Sequence, residues 1–255
     1  MLFDSHAHLD DNRLYKDIDE VISQARDQGI EYIVNPGADL NSSIKAVNLS
    51  EKYDMVYAAV GVHPHDVKDM DENTLAVIKS LTNREKVVAI GEIGLDFYYN
   101  HSPKDMQRKW FRKQIDLSKS LKLPIIIHAR DADGEVFDIL KENKAEEFGC
   151  VMHCYSGSLE LAKEYVKRGI YISLAGPITF KNAVKSHKVA KEIPLEWLLI
   201  ETDSPYLTPV PYRGKRNQPA YVQYIAEKIA DLKGISLEEV AEQTNANARK
   251  LFNIE

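Results

Sequence analysis

Leu2-Phe3-Asp4-Ser5-His6-Ala7-His8-Leu9-Asp10 opens as a short apolar strand and runs into two histidines. A doubly wound open sheet usually has a glycine-rich turn at this point, so that the backbone can close on a phosphate. The turn His6-Ala7-His8-Leu9-Asp10 contains no glycine and cradles no phosphate. Runs rich in β-branched and aliphatic residues recur at 2–9, 32–37, 56–62, 87–95, 124–128, 150–155, 171–175 and 198–203, each followed by polar or glycine residues. Helical patterns fill the gaps, over 42–53, 72–81, 103–121, 134–146, 159–169 and 181–192, with 221–233 and 237–252 closing the chain. In the first gap Ile18, Val21, Ile22 and Ala25 repeat at helical spacing and Gly29 follows as a stop. Strand then helix, eight times over, predicts an α/β fold, a (β/α)8 TIM barrel, with the doubly wound sheet as runner-up.

The length of 255 residues suits one such barrel, and no linker or low-complexity tract interrupts it, so residues 1–255 are expected to form a single domain. A net charge of −6 excludes a general nucleic-acid coat protein and leaves only local contact with a polyanion. Arg213-Gly214-Lys215-Arg216, flanked by Tyr206, Tyr212 and Tyr221, is the candidate place, a solvated basic loop being the bland alternative. Cys150 and Cys154, four residues apart on one predicted strand, would face the same side about 13 Å apart, too far for a disulfide. They read as small buried hydrophobes of a reduced compartment. The N-terminus lacks a basic segment followed by an apolar run, and no stretch reaches the roughly 18 apolar residues of a membrane span. A soluble, cytoplasmic, monomeric protein is expected.

Of eight histidines, six fall at or just after strand ends: His6, His8, His63, His65, His128 and His153. In a parallel barrel those ends converge on one mouth, where active sites of this architecture sit. His6 and His8, two apart, would project from one face of a strand and grip one cation. Glu92 lies in Ala89-Ile90-Gly91-Glu92-Ile93-Gly94, where an unpaired acid would cost several kcal/mol and calls for a cation or strong donors. Asp203 ends the eighth strand, with Glu201 on the same face by period two. Each residue alone fits a satisfied core group or a salt bridge, but the six together point to metal. Imidazole with carboxylate suits Zn, Mn, Co or Fe. The assignment is His6, His8 and Asp203 on one ion, His128 and His153 on the other, and Glu92 bridging. A pair of ions about 3.5–4 Å apart activates water for in-line displacement at phosphorus, with Asp203 as proton acceptor.

Six stretches carry a resemblance: 3–10; Gly61-Val62-His63-Pro64-His65; 91–99; His128-Ala129-Arg130-Asp131-Ala132; 153–158; and Glu201-Thr202-Asp203-Ser204-Pro205-Tyr206 with its continuation to Pro209. In this order over the whole chain they resemble the TatD family of metal-dependent deoxyribonucleases, a branch of the amidohydrolase-like barrels. The resemblance implies a metallo-dependent hydrolase barrel with two divalent cations (Zn, Mn or Mg) on His6, His8, Glu92, His128, His153 and Asp203, and DNA as substrate. It implies that His63 and Glu201 line the site, giving Asp203, Glu92, His63 and Glu201 as the catalytic set. A concave mouth favours DNA ends or single strands, and hence exonucleolytic cleavage. Because the family is reported with both activities, a D-aminoacyl-tRNA deacylase, or a small-molecule amide or ester hydrolase using the same site, is the alternative. A non-catalytic metal-holding scaffold would call for a degraded ligand set, and no ligand is missing here. Arg130, His63, Tyr206, Arg213 and Arg216 are the candidate substrate contacts. Phe97, Tyr98 and Tyr99 either stack on bases or pack over the mouth, and Lys181, Lys185 and Lys188 read as a solvated helix face.

Overall fold

A computed structural model describes residues 1–255. Eight strands form one sheet in chain order: β1 (Leu2–Asp4), β2 (Ile30–Pro36), β3 (Val56–Val60), β4 (Val87–Asp96), β5 (Ile125–Arg130), β6 (Cys150–Met152), β7 (Tyr171–Leu174) and β8 (Leu198–Ile200). Parallel neighbours need crossover connections, and helices supply them, so the chain is a (β/α)8 barrel. The helices are α1 (Asn12–Tyr15), α2 (Ile18–Asp27), α3 (Leu40–Lys52), α4 (Glu72–Leu81), α5 (Lys104–Leu121), α6 (Asp133–Asn143), α7 (Leu159–Lys167), α8 (Val184–Glu192), α9 (Val222–Lys233) and α10 (Leu237–Phe252). Two compact units divide the chain, residues 1–35 with 154–255, and residues 36–153. No helix is long and apolar enough to cross a membrane.

In the unit of residues 1–35 and 154–255, β1 pairs in parallel with β2 and β7 with β8. The last strand also meets the first: Ser5 N donates to Ile200 O at 3.0 Å. α10 begins at a Ser236/Glu239 capping box, which satisfies two otherwise orphaned backbone donors. At its far end α10 brings Phe252 to stack on Phe3 at 6.2 Å, and Tyr32 meets Phe3 edge-on at 5.8 Å. Each buried ring contributes about 1.5–3 kcal/mol, so this knot fixes β1 from below.

In the unit of residues 36–153, β3, β4, β5 and β6 pair in sequence. Capping boxes start α3 (Asp39 with Ser42) and α4 (Asp71 with Thr74). Val62, Val67, Met70 and Trp110 form a buried cluster, with Leu75 and Met106 against it. Two buried glutamines of α5, seven residues apart and so on one face, reach strand ends. Gln114 accepts from Val62 N at 2.8 Å and donates to Val62 O at 3.0 Å. Gln107 does the same for Asp96, at 2.8 and 3.0 Å.

Three expected strands end three or more residues early. β1 stops at Asp4 rather than residue 9, because beyond it successive amides turn to different neighbours, Ser5 to Ile200 and Ala7 to Val34. β6 stops at Met152 and β8 at Ile200, because Cys154 and Asp203 take left-handed backbone (φ 45° and 53°). Face arguments by period two therefore fail for the Cys150/Cys154 and Glu201/Asp203 pairs. Neither cysteine forms a disulfide, and Cys150 is buried. α1, one short turn, carries too little periodicity to be read from sequence.

Candidate metal centre

After β1 and β8 the two chain segments are pinned by backbone: Asp203 N donates to His6 O at 2.9 Å and His8 N to Ser204 O at 2.8 Å. This brings His6, His8 and Asp203 together, their ligand atoms all within 4.8 Å of one another. The two Nε2 atoms of His6 and His8 lie 3.2 Å apart, and Asp203 Oδ1 is 3.8 and 3.5 Å from them. Behind them sits buried Asp4, whose Oδ1 accepts from Thr202 N (2.8 Å) and His6 N (3.3 Å) and whose Oδ2 accepts from the Thr202 hydroxyl (2.6 Å). Burial raises the Asp4 carboxyl to about 8 against the pull of those donors. Asn217 donates to Thr202 O and Tyr206 O at 2.8 and 2.6 Å. Asp4, Thr202 and Asn217 thus brace the ligand-bearing turns. Sequence reasoning missed them, although an acid inside the first apolar strand was the same signal that marked Glu92.

Glu201 is buried and accepts from Cys154 N at 2.7 Å. Tyr206 lies with its ring 6.0 Å from that of His8 and donates its hydroxyl to Asp11 at 3.2 Å. Arg13, which the sequence did not single out, covers the Tyr206 ring at 4.3 Å and grips Asp11 through two nitrogens. Arg216 is engaged with Asp17 (2.8 Å) and with Arg13 O, and Arg213 lies over Phe180 at 4.3 Å.

In residues 36–153 the register shifts between Ile90 and Ile93, so the Gly91-Glu92 pair forms an irregularity that re-aims one side chain. Glycine is required on both sides of Glu92. A Cβ at Gly91 would meet Ile126 Cβ at 2.7 Å, and one at Gly94 would meet His128 O at 1.9 Å. The buried Glu92 carboxylate receives three imidazoles on a single oxygen. His128 Nδ1 lies 2.9 Å, His153 Nε2 3.1 Å and His63 Nε2 3.4 Å from Oε1. Burial would raise the Glu92 carboxyl, but His153, His63 and His128 outweigh it and hold it well below the carboxylate range. His63 accepts the amide of His65 on Nδ1 (3.2 Å) and is pushed by burial down to about 4, so at neutral pH its ring is uncharged and carries its proton on Nε2, facing Glu92.

Asp96, which was not singled out for a role, completes this group. Its Oδ2 lies 3.1 Å from His128 Nε2 and 2.8 Å from His65 Nε2. Burial opposes the charge on Asp96, yet these contacts and the Tyr99 amide hold the carboxyl far below its ordinary value. For His128 burial would lower the ring, and Asp96 with Glu92 raise it instead. An acid behind an imidazole, with the other ring nitrogen facing a shared carboxylate, is how proteins orient a histidine ligand. Arg130, at the end of β5, has its guanidinium over Tyr98 and Tyr99 at 4.3 and 4.6 Å.

The model of TatD related DNase matches residues 3–253. The chain belongs to the TatD related DNase family. The uncharacterized metal-dependent hydrolase YabD of Bacillus subtilis is 53% identical over the full length of both chains. The 3'-5' ssDNA/RNA exonuclease TatD of Salmonella typhimurium is 35% identical, with 99% of each chain covered. The crystal structure of YJJV, a TatD homologue of Escherichia coli, superposes with a TM-score of 0.94 at 30% identity, covering 100% of this chain and 98% of that one. The chain is therefore a TatD-family metal-dependent hydrolase, and its clustered donors are of the imidazole and carboxylate chemistry that holds divalent transition metals.

Proposed function

We propose that this chain is a deoxyribonuclease that cleaves phosphodiester bonds from the ends of single-stranded DNA, with two divalent cations. One ion would be held by His6, His8 and Asp203, the other by His128 and His153 with Glu92. The observation that carries this reading is the one buried Glu92 oxygen facing three imidazole nitrogens within 3.4 Å, imidazole and carboxylate being the donor chemistry that takes a divalent transition metal. The name of the Salmonella relative, an exonuclease on ssDNA and RNA, supports the substrate class.

When bound, such cations activate water at neutral pH and neutralise charge on phosphoryl oxygens. The chain's own residues supply the rest. Asp203 takes the proton of the attacking water. His63, uncharged with its proton on Nε2, would give that hydrogen bond to a phosphate oxygen or to the leaving group in place of Glu92. Glu201, fixed on the Cys154 amide, holds its carboxylate at the site without reorganisation. Arg130 contributes charge toward a non-bridging oxygen, while Tyr206 beside His8, Arg213 and Arg216 serve the strand further along.

The test is a metal-resolved assay on end-labelled single-stranded DNA, duplex DNA, RNA and aminoacyl-tRNA with Mg, Mn or Zn. Cleavage of single strands should require metal and fall by about 10²–10⁴-fold in Asp203→Ala. Equal cleavage by parent and variant, or turnover of aminoacyl-tRNA alone, overturns the reading. Arg213→Glu and Arg216→Glu separate the chemistries further, because loss with DNA but not with a neutral ester marks a polyanion substrate.

A further inference from the structure

Residues 97–101 follow β4 with Phe97, Tyr98, Tyr99, Asn100 and His101. Tyr98 and Tyr99 are 59% and 49% exposed, too open to be packing residues. Their rings meet edge-on, 4.9 Å apart at 88°, and the Arg130 guanidinium occupies the corner between them. His101 stacks on Tyr99 at 5.5 Å and 6°, and touches His65 edge-on at 4.7 Å. Arg13, Arg108, Arg112, Arg216 and Arg249 are each paired with a carboxylate. Arg130 has no acid at ion-pairing distance, so two aromatic rings hold its charge in place without neutralising it.

The loop is tied to the histidine cluster through one side chain. Asp96 Oδ1 accepts the amides of Tyr98 and Tyr99 at 3.1 and 2.8 Å, while its Oδ2 contacts His128 and His65. A group seated on these rings is thereby held in fixed relation to His128.

We propose that Tyr98, Tyr99, His101 and Arg130 form a nucleotide subsite that takes an unpaired base on the open ring of Tyr98 and its phosphate on Arg130. The subsite rests on the phosphodiester reading and specifies it: the strand must be single at this point, because a paired base has both faces covered by its neighbours. Stacking on an aromatic ring tolerates any base, so no sequence preference arises here.

Binding of phosphorothioate-linked single strands, which resist hydrolysis during the measurement, to the metal-loaded full chain tests this by fluorescence anisotropy. One abasic residue is walked along the strand. At one position loss of the base should weaken binding about tenfold. That penalty should vanish in Tyr98→Ala and survive in Tyr98→Phe. Arg130→Met should reduce the slope of log affinity against log salt by about 0.7, the share of one phosphate. Melting temperature and metal content should match the parent in all three variants. A base penalty and salt slope unchanged in the folded variants overturn the subsite while the nuclease reading stands, provided the parent cleaves DNA. A parent that neither binds nor cleaves any strand overturns both.

Discussion

Replacing Glu92 by glutamine keeps its shape and removes the charge toward which His63, His128 and His153 converge. Metal affinity in Glu92→Gln should fall at least tenfold, read by elemental analysis after dialysis, with hydrolysis falling alongside; a variant that retains full metal would remove Glu92 from the ligand set. Asp11 supplies a pH-resolved case. The Arg13 guanidinium holds its carboxyl down at about 2. The folded value is depressed, so the stabilisation is complete above the unfolded value near 3.9 and disappears as pH falls through 2. With Arg13 half exposed, Asp11→Asn should cost only about 0.5–1 kcal/mol in urea unfolding at pH 7, and the gap should close between pH 4 and pH 2. A constant gap would assign the effect to something other than this ion pair. Glu92 was legible because an acid among Ala, Ile and Gly has no structural use. Asp96 was not, because acids are ordinary at strand ends and only the fold places one oxygen between His65 and His128.

Among the elements, α5 shows how a helix serves a site it does not enter. Gln107 and Gln114 satisfy backbone groups where β4 and the segment after β3 leave the ladder, in place of a missing strand partner. Gln107→Leu orphans the buried Asp96 amide and should cost about 1–3 kcal/mol in urea unfolding. The carboxylate on His128 loosens with it, so metal affinity should drop as well; a destabilised variant with parental affinity would make Gln107 purely structural. Apolar periodicity revealed where β4 and α5 run. It could not show that β1, β6 and β8 stop after three residues, since the left-handed turns at Cys154 and Asp203 depend on tertiary partners. Glu201 and Asp203 were paired by a strand rule that does not operate there, and the ligand trio forms through backbone bonds from Asp203 and His8 instead.

At the level of the whole molecule, eight repeats of strand and helix made the barrel legible, and the missing glycine-rich turn separated it from the open sheet. The division at residues 35–36 and 153–154 left no mark in composition. Cations that bind only the folded chain stabilise it by mass action, about 2.7 kcal/mol at a hundredfold excess over Kd. For a chain of this size that corresponds to roughly 5–10 °C in Tm. Chelation should therefore lower the melting temperature by that amount and re-addition restore it; an unchanged transition would deny any coupling between metal and fold.

The contact between His6 Nε2 and His8 Nε2, 3.2 Å across, has room for one hydrogen shared between two lone pairs. An incoming ion takes both lone pairs, so that hydrogen must pass to the other nitrogen of its ring. Loading would then change the tautomer of one imidazole, and the ring-nitrogen chemical shifts of 15N-histidine protein would follow that exchange in step with occupancy.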